Sequence, residues 1–331
     1  MTTIRMAQYG TKHAHAAGKF KAMLQNPNVE IAGVFEPDAE RRHEMEMADT
    51  PYKGAHWFET AEEMLNDPTI IAVVSEGRPH EGLDQTEACV NAGKHVWYDK
   101  PAGDDWPQWQ RIIAKAEAQG TLIQMGYMFR YHAGFRQIGD WAKSGLLGDL
   151  FGIRIRIGTA IAPENRTRLA RHKGGIFFEL GCHVLDQIVW LLGRPHTVTS
   201  FMRNDASSHL PEFADNTLGV FEFDSAMAYV DTSAMETRPP ARRIEVYGTR
   251  GSAIMEPLEP ATEIRLCLAE AAGGFQAGEQ MVPIEVQTRQ QLYELELAAF
   301  RAAISGQQAP DRSLAHELLV QETLLRVTGA V

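Results

Sequence analysis

Residues 174–193 read GGIFFELGCHVLDQIVWLLG and set three polar groups, Glu179, His183 and Asp186, in an otherwise apolar stretch. Their offsets, four and then three, put all three on one face of a 3.6-residue helix, one turn apart. Ile176, Phe177, Leu180, Val184, Leu185, Ile188 and Val189 fill the remaining surface, so a helix over 176–192 is expected to be largely buried. An imidazole between two carboxylates can take and return a proton near neutral pH. The same pattern fits a histidine held in the core by either acid, because buried polar groups must be paired.

Further candidates stand where strand patterns end. Lys100 follows HVWYD at 95–99 and precedes Pro101, whose fixed φ would place the lysine rigidly; a surface lysine at a strand–loop junction has the same signature. Glu36 closes VEIAGVFE at 29–36, 26 residues past Gly10. That is near the spacing at which an acid binds a dinucleotide ribose 2′-hydroxyl and repels a 2′-phosphate, and a solvated acid before the Pro37-Asp38 turn reads equally well. Gly10-Thr11-Lys12-His13-Ala14-His15 keeps only the first glycine of G-x-G-x-x-G and is not by itself a dinucleotide motif. His13-x-His15 instead offers two imidazoles at a spacing that suits a metal. Arg166, Arg168, Arg171, His172 and Lys173 crowd an expected loop before Gly174, where they could grip an anionic substrate group or form solvated salt bridges.

The elements that position these residues follow from the patterning. Strand and helix patterns alternate through about residue 125, as in parallel βαβ units: strands at 3–9, 29–36, 70–75, 95–99 and 122–127, with helices at 80–92 and 104–119 among those between them. Thr60-Ala-Glu-Glu63 reads as a capping box, and Gly93 and Gly120 as helix stops. Beyond residue 128 longer alternating strands prevail, at 151–160, 197–203, 217–223, 227–235, 243–248 and 263–268, with a helix at 132–143 and two closing helices at 290–304 and 313–327. Such strands build an antiparallel or mixed sheet covered on one face. The division is an α/β domain over 1–125 and an α+β domain over 126–331.

The 331 residues carry 32 Lys and Arg against 43 Asp and Glu, a net charge of −11 that argues against a nucleic-acid backbone as partner. No apolar run approaches the ~20 residues of a membrane span. Cys89, Cys182 and Cys267 are widely spaced, and MTTIRMAQYG shows no leader pattern, so a cytoplasmic protein is expected.

Several motifs together resemble the Gfo/Idh/MocA (glucose–fructose oxidoreductase, inositol dehydrogenase, rhizopine catabolism) oxidoreductase family over essentially the whole chain. Ala92-Gly93-Lys94-His95-Val96 with Asp99-Lys100-Pro101 resembles A-G-K-H-V-x-x-E-K-P. Gly174-Gly175 through Glu179, Gly181, His183 and Asp186 resembles G-G-x-x-x-D-x-G-x-H-x-x-D. Val34–Asp38 resembles the acidic end of the second strand, and Arg130-Tyr131 an R-F segment. The resemblance implies a Rossmann doubly wound parallel sheet, then a large open mixed or antiparallel sheet, with the last helices packing back on the first domain. It implies Lys100, His183 and Glu179 as catalytic residues, His183 being the general acid/base. Gly10, Thr11, Lys12, His13, Glu36 and Lys100 would bind the cofactor, NAD rather than NADP. Arg130, Tyr127, Glu179 and Asp186, with Arg166 from the basic cluster, would contact a sugar, cyclitol or sugar acid. A homo-oligomer, dimer or tetramer, is expected, and this reading needs no metal. The degraded glycine turn, Asp99 for Glu and Glu179 for Asp depart from the family pattern.

Two other readings remain open at this point. A metal-dependent hydrolase or isomerase would use His13, His15, Glu179 and His183 as ligands, on a (β/α)₈ barrel that the strand-rich second half disfavours. A non-catalytic relative would have lost the cofactor with its glycines.

Overall fold

The computed structural model describes residues 3–331. The chain divides into two units, one taking in the chain up to Met128 together with Arg289–Leu318, the other Phe129–Thr288 with Leu319–Val331.

The first unit opens with β1 (Ile4–Tyr9), α1 (Ala16–Gln25), β2 (Val29–Phe35), α2 (Ala39–Met47), α3 (Ala61–Leu65), β3 (Ala72–Ser75), α4 (Pro79–Asn91), β4 (His95–Tyr98), α5 (Trp106–Gln119) and β5 (Ile123–Met125). The five strands form one parallel sheet in the order β2-β1-β3-β4-β5. All of β3 is buried, as a continuous apolar run flanked by helices on both faces requires. Because the order reverses between β1 and β3, the carboxyl ends of these strands open a crevice, the place where doubly wound sheets bind ligands. Helix starts are fixed locally. Asp38 accepts from the amide of Arg41, and Asp105 from that of Gln108. Thr60 caps α3 through the amide of Glu63, but the Glu63 carboxylate turns to the amide of Glu59, so the expected reciprocal box is only half formed. The expected strand over 122–127 is shorter, because a 3₁₀ turn at Met128–Tyr131 follows soon after β5.

The second unit contains α6 (Ala133–Lys143), β6 (Leu150–Arg156), α7 (Pro163–Leu169), a π turn at Phe177–Gly181 running into α8 (Cys182–Leu192), then β7 (Thr197–Arg203), β8 (Asn216–Glu222), β9 (Met227–Ser233), β10 (Arg243–Gly248), β11 (Gly251–Met255), β12 (Glu263–Leu268) and β13 (Gly278–Pro283). Its eight strands lie in the order β13-β12-β11-β10-β6-β9-β8-β7, antiparallel except for the β6–β9 pair. Burial alternates along β8, β9 and β12, so one face is covered and the other is not. Leu169, Ile176, Phe213 and Ala234 form part of the core beneath the glycine-led turn.

Three features differ from expectation. The basic stretch 166–173 is not all loop: Pro163 starts the short α7, which carries Arg166 and Arg168. The regular strand within 151–160 ends at Arg156, although Ile157 and Thr159 still donate their amides to Asp231 and Ser233 and an isolated bridge joins Ala160 to Met235. β11 begins on a glycine and β13 is a polar edge strand, so neither has the apolar alternation by which strands are read.

α9 (Arg289–Ile304) belongs to the first unit, where Gln290 and Tyr293 meet α1 at Gly18. α10 (Leu314–Thr328) is divided between the units after Leu318. No helix of the described residues is long and apolar enough to cross a membrane.

Candidate functional site

Gly10 ends β1 with φ +84°, and a Cβ there would meet the amide nitrogen of Gly77 at 2.9 Å. Only glycine serves this turn, which packs directly against the backbone after β3. Thr11 donates its amide and its hydroxyl to Glu36 Oε2, at 2.7 and 2.8 Å, and Asp38 donates its amide to Glu36 Oε1 at 3.1 Å. Glu36 is therefore buried and engaged, not a solvated strand-end acid. Arg41 reaches back to the hydroxyl and carbonyl of Thr11. Lys12 lies 3.0 Å from Asp38 and 3.2 Å from Glu81. Burial opposes its charge, but those two acids outweigh that and hold its pKa above the ordinary lysine value. Lys12, Arg41 and Arg78 line a pocket of about 260 Å³ with Asp38, Glu40 and Glu44.

Beside this turn is a cluster of buried charges. His13 follows β1, His15 is the N-cap of α1 and Lys19 lies one turn further along; Glu76 follows β3 and Asp99 follows β4. Asp99 Oδ2 lies 3.0 Å from His13 Nδ1 and 3.1 Å from both His15 Nδ1 and Lys19 Nζ, while Oδ1 accepts from the Lys100 amide at 2.7 Å. Lys19 also meets Glu76 Oε1 at 3.0 Å and sits 4.5 Å over the ring of Trp97. Burial disfavours the Asp99 charge, but His13, His15 and Lys19 outweigh it and hold the carboxyl well below its usual range. Burial pushes the Glu76 carboxyl up, with Lys19 opposing and Asp99 adding to the rise. Burial lowers His15 to about 4 despite Asp99, so its imidazole is neutral at pH 7. Burial also raises Glu296, on α9, to about 8 against the pull of Lys19 and Arg312. Lys100 itself is buried at the end of β4. Tyr127 is buried in this first unit, with the Arg312 guanidinium 5.8 Å over its ring.

In the second unit, Gly174 and Gly175 lead into the Glu179–His183 stretch. Gly175 has φ +47°, and a Cβ on it would meet the Ala214 carbonyl oxygen at 2.4 Å. The expected regular helix over 176–192 is broken by the π turn, which holds Glu179, while His183 and Asp186 lie on α8. Glu179 is half-buried, whereas His183 is buried with its ring centroid 5.3 Å from that of Phe129. Asp186 is fully buried and receives Arg130 in a two-pronged pair, Nε to Oδ2 at 3.2 Å and Nη2 to Oδ1, as well as Gln187 at 2.9 Å. Arg130 also stacks on Trp190, 5.1 Å to the centroid. Arg166 donates to Ser207 Oγ at 2.7 Å and to the Ile161 carbonyl at 3.2 Å.

The residues that sequence reasoning missed are Lys19, Glu76 and Glu296. Lys19 had a readable signal, since it lies four positions after His15 on the same helical face. Glu76, directly after the apolar run of β3, had a weaker one; Glu296 had none, since it arrives from a helix more than two hundred residues away. Among the described residues the strands form a five-stranded and an eight-stranded sheet rather than the barrel required by the hydrolase reading, and the carboxylate that faces His13 and His15 is Asp99.

The comparisons with known proteins agree with this architecture. A family model described as oxidoreductase family, NAD-binding Rossmann fold, matches residues 6–127, and the GFO/IDH/MocA C-terminal domain model matches residues 135–254. The chain is 26% identical over 257 residues to 1,5-anhydro-D-fructose reductase of Ensifer adhaerens, covering 76% of this chain and 74% of that protein. It is 28% identical over 167 residues to scyllo-inositol 2-dehydrogenase (NADP(+)) of Bacillus subtilis, covering 50% and 42%. Its fold matches UDP-N-acetylglucosamine 3-dehydrogenase of Acidithiobacillus ferrooxidans with a TM-score of 0.81 at 18% identity, over 100% of this chain and 98% of that one. The chain belongs to the GFO/IDH/MocA family of oxidoreductases, and its first half is that family's NAD-binding Rossmann domain.

Proposed function

We propose that the protein oxidises or reduces a secondary hydroxyl of a sugar, cyclitol or sugar acid, with NAD as its cofactor. The observation that carries the reading is the crevice of the first unit, where the Gly10 turn, Glu36 and Lys100 stand at the carboxyl ends of β1, β2 and β4. The tight glycine turn at Gly10 and the carboxylate at Glu36, 26 residues on, fit a dinucleotide. Gly10, Thr11, Lys12, His13, Glu36 and Lys100 would hold it. When bound, the nicotinamide supplies the hydride acceptor or donor. The Lys100 ammonium would stabilise negative charge developing on the substrate oxygen. His183 would take or return the hydroxyl proton, with Glu179 orienting the substrate or the imidazole. Tyr127, Arg130 and Arg166 contribute to the substrate side chiefly by shaping it, since Arg130 and Arg166 already bind protein groups.

The preference for NAD rests on charge. The acids and bases lining the pocket beside Glu36 are equal in number, and Lys12 is already paired to Asp38, so a 2′-phosphate finds no surplus cation there. The nucleotide residues all belong to the first unit, whose Lys100 and Tyr127 are also assigned to the substrate. Self-association through the open sheet is supported by exposed Phe151, Phe201 and Met227 on its strands. Three free cysteines suit a reducing cytoplasm.

The decisive experiment is calorimetric titration of the purified chain with NAD and NADP, after assaying the sample for co-purified nicotinamide. Tight or pre-bound NAD, followed by turnover in a panel of sugars, cyclitols and uronates, supports the reading. Binding of neither dinucleotide overturns it.

A further inference from the structure

Around Asp99 the structure gathers more metal-binding groups than a dinucleotide turn needs. His13, His15 and Asp99 each offer a ligand atom within 4.8 Å of the others, and the two Nδ1 nitrogens lie 3.0 and 3.1 Å from Asp99 Oδ2. Ligand bonds of ~2.0–2.2 Å produce donor–donor edges of roughly 3.0–3.5 Å, so the spacing is that of a coordination shell. Hydrogen bonding alone leaves the group in conflict. His13 Nδ1 receives the His15 amide at 3.2 Å, which needs a lone pair, and faces the Asp99 carboxylate, which needs a proton. A second observation points the same way. Glu76 is fully buried, its Oε2 lies 3.6 Å from His13 Nδ1, and that oxygen has no hydrogen-bond partner among the described residues. A buried carboxylate oxygen that faces an imidazole without a hydrogen bond is what a cation uses and what a hydrogen-bond network avoids.

We propose that His13, His15 and Asp99, with Glu76 beside them, form a binding site for a divalent transition-metal ion in the nucleotide-binding domain. Two imidazoles and a carboxylate favour Zn²⁺ or a neighbour such as Co²⁺ over Mg²⁺ or Ca²⁺, which prefer all-oxygen sites. The ligands come from the β1–α1 turn and the ends of β3 and β4. The ion therefore ties together three segments in a turn that lacks the later glycines of G-x-G-x-x-G, and it does so one residue before Lys100. The inference does not depend on which substrate or dinucleotide the protein uses. Its internal competitor is Lys19, whose ammonium is already 3.1 Å from Asp99 and 3.0 Å from Glu76.

The test uses the full chain without a histidine tag, dialysed against a chelator and then titrated with Zn²⁺ and Co²⁺ by calorimetry. X-ray absorption spectra of the loaded samples report the ligands. One ion per chain, with imidazole scattering and metal–nitrogen distances of about 2.0–2.1 Å, is the expected result. His13→Gln and His15→Gln should each weaken binding at least ~10-fold, while circular dichroism stays like the wild type. Absence of stoichiometric uptake by the wild-type chain would mean that Lys19 serves as the resident cation, and the proposal falls. It falls equally if the absorption spectrum shows no histidine nitrogens, a readout that stands even where a variant does not fold.

Discussion

The amide and the hydroxyl of Thr11 converge on one oxygen of Glu36, which ties the turn after β1 to the end of β2. The carboxylate is buried and takes a further bond from Asp38, so its first task is to hold the turn. Truncation in Glu36→Ala removes three hydrogen bonds to a buried charge and is expected to cost about 2 kcal/mol of stability. If Glu36 also reads the ribose, NAD affinity should fall ~10-fold or more while NADP affinity falls less. Urea unfolding and paired titrations check both statements. Equal losses for the two dinucleotides would remove the ribose role and leave the structural one.

His183→Ala is expected to abolish turnover, by ~100-fold or more, with cofactor affinity kept. Its imidazole is buried against Phe129 in the second unit, whereas the proposed cofactor residues are in the first. Lys100→Met should also lose turnover and, in contrast, weaken the dinucleotide. Steady-state rates with parallel cofactor titrations separate the two. Wild-type turnover in His183→Ala would sink the assignment of the acid/base.

The Arg130–Asp186 pair is closed to solvent, so removing one partner strands the other. Asp186→Ala is expected to destabilise by about 3–5 kcal/mol. Replacing both, as Arg130→Met with Asp186→Leu, should recover much of that loss. Chemical denaturation measures the cycle, and a loss below ~1 kcal/mol for Asp186→Ala would show that the pair is not a structural one.

Glu296 supplies a pH dependence of definite sign. Its carboxyl titrates at about 8 in the folded chain, through burial, against roughly 4.3 for an unfolded glutamate. Between those values the folded state holds a proton that the unfolded state releases, so stability falls as pH rises from about 4.5 to 8. The slope from this group is about 1.4 kcal/mol per pH unit. Glu296→Gln should flatten that slope in chelator-treated protein, measured as the difference between the two denaturation profiles. Parallel profiles would assign the dependence to other groups.

Much of the fold was legible in the sequence because its elements announce themselves locally. β3 is a bare apolar run, α4 and α5 stop at glycines, and β12 alternates strictly. Elements whose stability comes from neighbours were not legible: β13 is polar and exists only by pairing with β12. The site divides in the same way. Glu36, Lys100 and His183 stand at strand ends or in an apolar helix, where a polar residue is conspicuous. The Asp99 cluster draws on three segments of the sheet and one distant helix, and the pairing of Arg130 with Asp186 spans 56 positions. Such pairings are tertiary, and spacing along the chain carries no trace of them.

The π turn at Phe177–Gly181 has a consequence for how this enzyme can diverge. A π turn holds one residue more than an α turn and confines the surplus to itself. Cys182–Leu192 therefore keeps its buried face whether or not the extra residue is there. A one-residue deletion before Gly181 would re-aim Glu179 while His183 and the Asp186 anchor stay where the core holds them. An insertion or deletion at this point would therefore move the Glu179 carboxylate without rebuilding the helix that follows.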